Sequence, residues 1–222
     1  VMVLGVPRIY ERVLGAIVTK AKNAGGMRAC IVPWALGAGR EYMRAKTAGN
    51  AVSLWLGLRY RLAHALALKK IKPALGLQRL KFFGCGSAAL HPDTALTFMG
   101  FDVAICEGYG LTECSPVVTV NAPLHPAIGT VGPVIPNVEV KLADDGELLV
   151  RGPGVMKGYY RDREATDRVM TDGWLHTGDI ATIRADGCVR IIDRKNELFK
   201  TSGGKYIAPA RIESALLRSI YF

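Results

Sequence analysis

The feature that most constrains this chain is a change in hydrophobic period near residue 77. Before it, apolar residues recur at helical spacing. Pro7 opens a helix at its favoured first-turn position, and Ile9, Val13, Ala16, Ile17 and Ala21 continue it until Asn23 and Gly25. A second helix is predicted over 27–46, interrupted at Pro33, and a third over 58–71, ending near Pro73 and Gly76. Residues 77–83 then read as a buried strand closed by a Gly84-Cys85-Gly86-Ser87 turn. A short helix from His91-Pro92-Asp93 to Gly100 follows, and 103–106 reads as the next strand. Strand, turn, helix, strand is a βαβ unit, which predicts an α/β fold with a parallel sheet.

Beyond Pro123 short strands are separated by the turn dipeptides Asp145-Gly146, Asp172-Gly173 and Asp186-Gly187. Residues 138–142 and 147–150 should flank the first as a hairpin. The predicted organisation is an α/β portion over 1–122, a β-rich subdomain over 123–193 and a third unit that begins at 194–222. Residue 1 is not Met and the last residues fall inside a predicted helix, so both ends read as cut.

Charge is unevenly placed. Residues 1–81 hold 15 Lys and Arg against Glu11 and Glu41, whereas the whole chain has a net charge of +10. A basic helical half reads first as a solvated amphipathic face, since its charges are interleaved with apolar residues, and second as a surface for anionic membrane. Nucleic acid is disfavoured because no RNP-like motif or zinc-finger spacing occurs. The five cysteines are scattered without a Cys-x-x-Cys pair, which predicts buried free thiols in a reducing compartment. The four histidines are isolated, so zinc chemistry is not expected. No apolar run is long enough to span a bilayer and no signal peptide is legible. A cytoplasmic protein is expected, with the inner face of the membrane as a peripheral alternative.

Four segments carry candidate chemistry, each expected in a loop at the end of a strand. In Gly84-Cys85-Gly86-Ser87-Ala88-Ala89-Leu90 small residues let a flat ring approach the backbone, although a tight turn needs the same residues. In Glu107-Gly108-Tyr109-Gly110-Leu111-Thr112-Glu113 a ring between glycines can stack on a base, a Thr hydroxyl can meet a phosphate, and a carboxylate can hold Mg²⁺. That Tyr could instead pack in the core. In Asp172-Gly173-Trp174-Leu175-His176-Thr177-Gly178-Asp179 the last carboxylate, expected at the start of a strand, can accept both hydroxyls of a ribose or simply cap a turn. The fourth, Ile192-Asp193-Arg194-Lys195-Asn196-Glu197-Leu198-Phe199-Lys200-Thr201-Ser202-Gly203-Gly204-Lys205, suits a hinge or a solvated linker.

Together and in this order the segments resemble the adenylate-forming superfamily, and within it the bacterial long-chain fatty acyl-CoA synthetases. Tyr109-Gly110-Leu111-Thr112-Glu113 looks like the superfamily's adenylate-binding motif. Residues 172–213 are similar to the fatty acyl-CoA synthetase signature. Val6-Pro7-Arg8-Ile9-Tyr10-Glu11 and Gly152-Pro153-Gly154-Val155-Met156-Lys157-Gly158-Tyr159-Tyr160 also look like family segments. The resemblance is weakest between residues 20 and 75.

The resemblance implies the large N-terminal domain of that fold, with a distorted barrel over the β-rich part, plus the start of its small α+β C-terminal domain. It implies ATP, Mg²⁺, CoA and a fatty acid as reactants, in two steps separated by rotation of the C-terminal domain. Ser87 and Ala88 would line the adenine slot with Gly108 and Gly110 beside Tyr109, which would stack on the base. Thr112 and Glu113 would be catalytic, touching phosphate and Mg²⁺, and Asp179 would hold the ribose with Arg194. Asn196 would be the hinge, and Gly203 and Gly204 would reach CoA. Asn196 departs from the family's Lys or Asp, and Ala89 from a common Pro. A phosphate-loop Lys before residue 1 and a catalytic Lys after residue 222 would be missing, so the chain alone is expected to be inactive. An aryl-CoA ligase, a fatty acyl-AMP ligase and a non-catalytic membrane-surface protein on the same fold are the alternatives.

Overall fold

The computed structural model describes residues 1–124 and 126–195, and beyond them the backbone of two short paired strands, β11 (Phe199–Lys200) and β12 (Tyr206–Ile207). The chain divides into two compact units, 1–109 with 120–132, and 110–119 with 133–222.

The first unit holds the predicted βαβ element. Strands β1 (Met2–Gly5), β2 (Phe82–Cys85) and β3 (Ala104–Gly110) are parallel, with β2 central and α5 (Pro92–Gly100) crossing between β2 and β3. β1 was not foreseen, because four exposed or half-buried apolar residues ahead of Pro7 carry no turn signal. The predicted strand 77–83 shortens and shifts to 82–85, since residues 77–80 form turns after Gly76, which sits at φ 71°.

Helix α1 (Pro7–Asn23) has its predicted limits, and Gly25 at φ 66° follows its end. Helix α2 (Gly26–Thr47) runs through Pro33 without the expected interruption. Burial of Ala35, Leu36, Ala38 and Gly39 just beyond it stabilises the helix more than one lost backbone bond destabilises it. The third helix starts earlier than predicted. Ser53 caps α3 (Leu54–Ala63) by accepting the Leu56 N–H at 3.2 Å, and a π-helical turn (His64–Leu68) joins it to α4 (Lys69–Ala74).

Tyr10 on α1 ties the first unit together. Its hydroxyl donates to the Gly84 carbonyl at 2.5 Å, and its ring lies 5.1 Å from that of Phe83 and 5.9 Å from that of Phe98. Helices α2 and α5 meet backbone to backbone, since a Cβ on Gly100 would lie 3.0 Å from Gly39.

The second unit is built on a largely antiparallel sheet of order β5-β10-β9-β7-β6, with β8 (Met170–Thr171) paired to β9. Its strands are β5 (Gly132–Pro133), β6 (Glu139–Leu142), β7 (Glu147–Arg151), β9 (Trp174–Ile183) and β10 (Cys188–Arg194). The predicted hairpin is β6–β7. Gly146 adopts φ 84° at its turn and Asp145 Oδ1 accepts the Glu147 N–H at 3.1 Å. Along β9 Leu175, Thr177, Asp179 and Ala181 are buried, the alternation of a half-buried strand. Helix α6 (Arg163–Val169) is capped by Asp162, which accepts the Ala165 N–H at 2.8 Å.

Four of the five cysteines are buried and free, but Cys30, expected inside, is exposed on α2. Burial pushes the Cys106 and Cys114 thiols up to about 11, and burial together with nearby Glu107 pushes Cys85 up to about 12. Those three are thiols, not thiolates, at neutral pH.

Candidate functional site

In the first unit β2 ends at Cys85, and the following loop brings Ser87, Ala88 and Ala89 to the surface, as expected of a strand-end segment. Ser87 takes the left-handed conformation, φ 70°, which glycine and asparagine adopt more readily. The loop is fastened at its far end, where the Leu90 N–H donates to Glu107 Oε2 at 3.2 Å. Glu107 is the parallel cross-strand partner of Cys85, and its carbonyl accepts the Asn121 N–H at 2.8 Å. Burial pushes its carboxyl up to about 7, against the lowering effect of the Leu90 hydrogen bond. Sequence reasoning gave Glu107 no role, since nothing in its neighbours shows that its side chain turns inward.

The second candidate segment is not a loop throughout. β3 continues through Glu107, Gly108 and Tyr109 to Gly110, with Gly108 and Tyr109 half-buried. Only then does the chain turn, into a 3₁₀ turn at Thr112–Cys114 that belongs to the second unit. Gly110 is required there, because a Cβ would collide with the Pro116 carbonyl. Thr112 is exposed and Glu113 half-buried.

The segment 152–160 packs onto this turn, a coupling not foreseen between two stretches singled out separately. A Cβ on Gly154 would lie 2.7 Å from the Cys114 carbonyl, and the Met156 N–H donates to the Glu113 carbonyl at 2.7 Å. The Tyr159 hydroxyl donates to Glu113 Oε1 at 2.9 Å, and its own N–H donates to Thr166 Oγ1 at 2.8 Å. That hydrogen bond to Glu113 raises the Tyr159 phenol above its ordinary value. Among the described residues no Lys, Arg or His pairs with Glu113. Held by a neutral phenol, the carboxylate has no compensating cation among the described residues. This fits Mg²⁺, which takes one or two carboxylates and completes its shell with water and substrate phosphates.

Asp179 lies in the middle of β9, not at the start of a strand as predicted. It is 4% exposed, and its pairing partner across the ladder is Arg194, whose Nε lies 2.9 Å from Asp179 Oδ1. The structure thus joins the two residues assigned together from sequence. One residue further on, Lys195 Nζ lies 2.8 Å from Glu147 Oε2 and 2.6 Å from Asp145 Oδ2. Glu147 is buried. Burial pushes its carboxyl up, but hydrogen bonds from Lys195, the Gly178 N–H and His176 hold it below the ordinary carboxylate range. Trp174 packs under two cations, Lys141 at 4.3 Å and Arg151 at 4.5 Å.

Ser87, Ala88, Gly108 and Tyr109 belong to the first unit, and Gly110, Thr112, Glu113, Asp179 and Arg194 to the second. Asn196, Gly203 and Gly204 lie outside the described residues.

Residues 2–160 match the model of the AMP-binding enzyme family. The chain belongs to that family. FadD15 of Mycobacterium bovis, a long-chain-fatty-acid–CoA ligase by name, is 37% identical over 219 residues, covering 97% of this chain and 35% of its own. Mycobacterium tuberculosis fadD11, provisionally named a fatty-acid–CoA ligase, is 37% identical over 214 residues, covering 96% of this chain and 38% of its own. This chain therefore spans little more than a third of the length of those relatives. Among solved structures, Bacillus subtilis O-succinylbenzoate coenzyme A synthetase in complex with ATP and magnesium ion matches with a TM-score of 0.59 at 25% identity. That match covers 67% of this chain and 35% of the other.

Proposed function

We propose that this chain supplies adenylate-handling residues of a long-chain fatty acid–CoA ligase. The observation that carries the reading is Glu113, an anion uncompensated among the described residues, on a turn beside the Thr112 hydroxyl. The names of FadD15 and fadD11 support the fatty-acid substrate.

In this reading a carboxylate oxygen of the fatty acid attacks the α-phosphorus of ATP in line. The bond to the pyrophosphate oxygen breaks, giving acyl-AMP and pyrophosphate. The CoA thiol, losing its proton, then attacks the acyl carbon and AMP leaves. Mg²⁺ held by Glu113 would neutralise charge on the phosphates. Thr112 donates its hydroxyl to a phosphate oxygen. Asp179 accepts from ribose hydroxyls, with Arg194 keeping its charge and orientation. Tyr109 stacks on adenine, and Ser87 and Ala88 present backbone groups to the ring edge. Positioning and charge neutralisation are what such a displacement requires of the protein. Asn196 would serve as hinge and Gly203 and Gly204 would meet CoA.

The test is pyrophosphate release by the natural protein with ATP, Mg²⁺ and palmitate, before and after adding CoA. Turnover that becomes sustained only with CoA supports the ligase. Equal turnover without CoA assigns a fatty acyl-AMP ligase. The second reading, an aryl-acid substrate, is favoured by the O-succinylbenzoate name of the structural match. Release with an aryl acid and none with palmitate would select it. Silence with every acid overturns the enzymatic reading.

A further inference from the structure

Strand β9 loses step with both neighbours at the place where Asp179 lies. Against β7, Leu149 pairs with His176 and Glu147 with Ile180, so a step of two residues on β7 matches a step of four on β9. Against β10, Ile191 pairs with Ala181 and Asp193 with Ile180, a step of two against one. The Asp179–Arg194 pair sits beside both irregularities, and Gly178 takes the left-handed conformation at φ 70°. A bulge removes backbone groups from the ladder and re-aims the side chain next to it.

Side chains take over the interrupted bonding. Thr177 Oγ1 donates to the Leu148 carbonyl at 2.7 Å and accepts the Asp179 N–H at 3.1 Å. Glu147 Oε1 accepts the Gly178 N–H at 2.9 Å. Its Oε2 accepts from Lys195 Nζ at 2.8 Å and lies 3.2 Å from His176 Nδ1. Gly178 immediately precedes Asp179, and Lys195 immediately follows Arg194. One carboxylate, 4% exposed, therefore ties down the chain beside each member of the pair.

Stability alone does not call for a charge at this place. A buried ion pair contributes little net stability compared with well-packed apolar residues of the same volume. What the carboxylate supplies is geometry, since its two oxygens fix a backbone N–H of β9 and a side chain just past β10 relative to β7. Asp179 thereby gains a defined direction on a strand that the ladder no longer holds in register.

We propose that Glu147 is a positioning residue for the nucleotide ribose, holding the β9 bulge and Lys195 so that Asp179 and Arg194 meet the sugar hydroxyls in one orientation. The proposal rests on the reading of Asp179 as the ribose acceptor. Pyrophosphate release by the natural protein, with the acid it turns over, is compared for ATP and 2′-deoxy-ATP. Wild type should prefer ATP by about tenfold or more in kcat/KM, because a missing hydroxyl leaves a buried acceptor unpaired. In Glu147→Gln a single amide oxygen replaces two acceptors, and the NH₂ group faces either the Gly178 N–H or Lys195. That variant should raise KM for ATP, keep KM for the acid, and prefer ATP by about threefold or less. Mere loss of stability would lower activity with both nucleotides alike. An unchanged preference in Glu147→Gln overturns the positioning role and leaves the ribose reading intact. No preference in wild type, or no release with any acid, fails that reading, and the positioning role falls with it. Should Glu147→Gln misfold, Lys195→Met decides, at a side chain 43% exposed. A lowered preference supports the proposal, and an unchanged one overturns it.

Discussion

Tyr159 and Glu113, 46 residues apart, meet through a 2.9 Å hydrogen bond from phenol to carboxylate. The bond joins the 3₁₀ turn to the segment before α6. Tyr159→Phe removes one donor and leaves the carboxylate in place. The expected result is a several-fold rise in the Mg²⁺ concentration needed for half-maximal pyrophosphate release, because Glu113 loses an orienting contact. Glu113→Ala should abolish release, and near-normal turnover by that variant would count against its role.

The pairing of Asp179 with Arg194 is asymmetric, the Asp179 side chain being 6% exposed and that of Arg194 59%. Arg194→Ala leaves a buried carboxylate with less compensation and should destabilise the second unit by about 1–3 kcal/mol in urea titrations. Asp179→Ala leaves an arginine that can turn to water, so its stability cost should be smaller. Its main effect should be a raised KM for ATP. Equal costs for the two variants would contradict the burial argument.

Glu107 predicts a pH dependence. Its folded carboxyl keeps a proton up to about pH 7, whereas in the unfolded chain it ionises near the ordinary value of 4.5. Between those values the folded state holds more protons, so the contribution to stability falls as pH rises and levels off above about 7. The total amounts to about 3 kcal/mol. Glu107→Gln keeps an oxygen for the Leu90 N–H and removes the titration. It should be more stable than wild type at pH 8, and the difference should vanish near pH 4. A constant difference across that range would remove the assigned cause.

Two glycines separate a required from a tolerant position. Gly110→Ala forces a Cβ into the Pro116 carbonyl and should displace the turn that carries Glu113, costing about 2 kcal/mol or more. Gly15→Ala on α1 meets nothing within 4 Å and should stabilise by about 0.5–1 kcal/mol. Thermal melts of the two variants should shift in opposite directions.

The predicted βαβ unit, the β6–β7 hairpin and the limits of α1 were legible because each rests on local signals: a change of period, an Asp-Gly turn, a Pro at a helix start. What stayed hidden is non-local. Pro33 forecasts a break only when its helix is considered alone. β1 becomes a strand because β2 lies beside it. The inward turn of Glu107 depends on a loop 17 residues away. Asp179 and Arg194 could be assigned together from the family pattern, but the ladder register that joins them could not be read. Tyr159 sat in a recognised segment with no local sign that it reaches Glu113.

The hydroxyl of Tyr10 bridges 74 residues to Gly84, and β1, just ahead of it, completes its parallel pairing only with β2. In kinetic terms that contact closes one of the longest loops in the first unit, and its entropic cost falls due before its reward. The N-terminal strand should therefore be among the last pieces to join. Tyr10→Phe would then accelerate unfolding while leaving the folding rate nearly unchanged, the signature of a contact absent from the transition state.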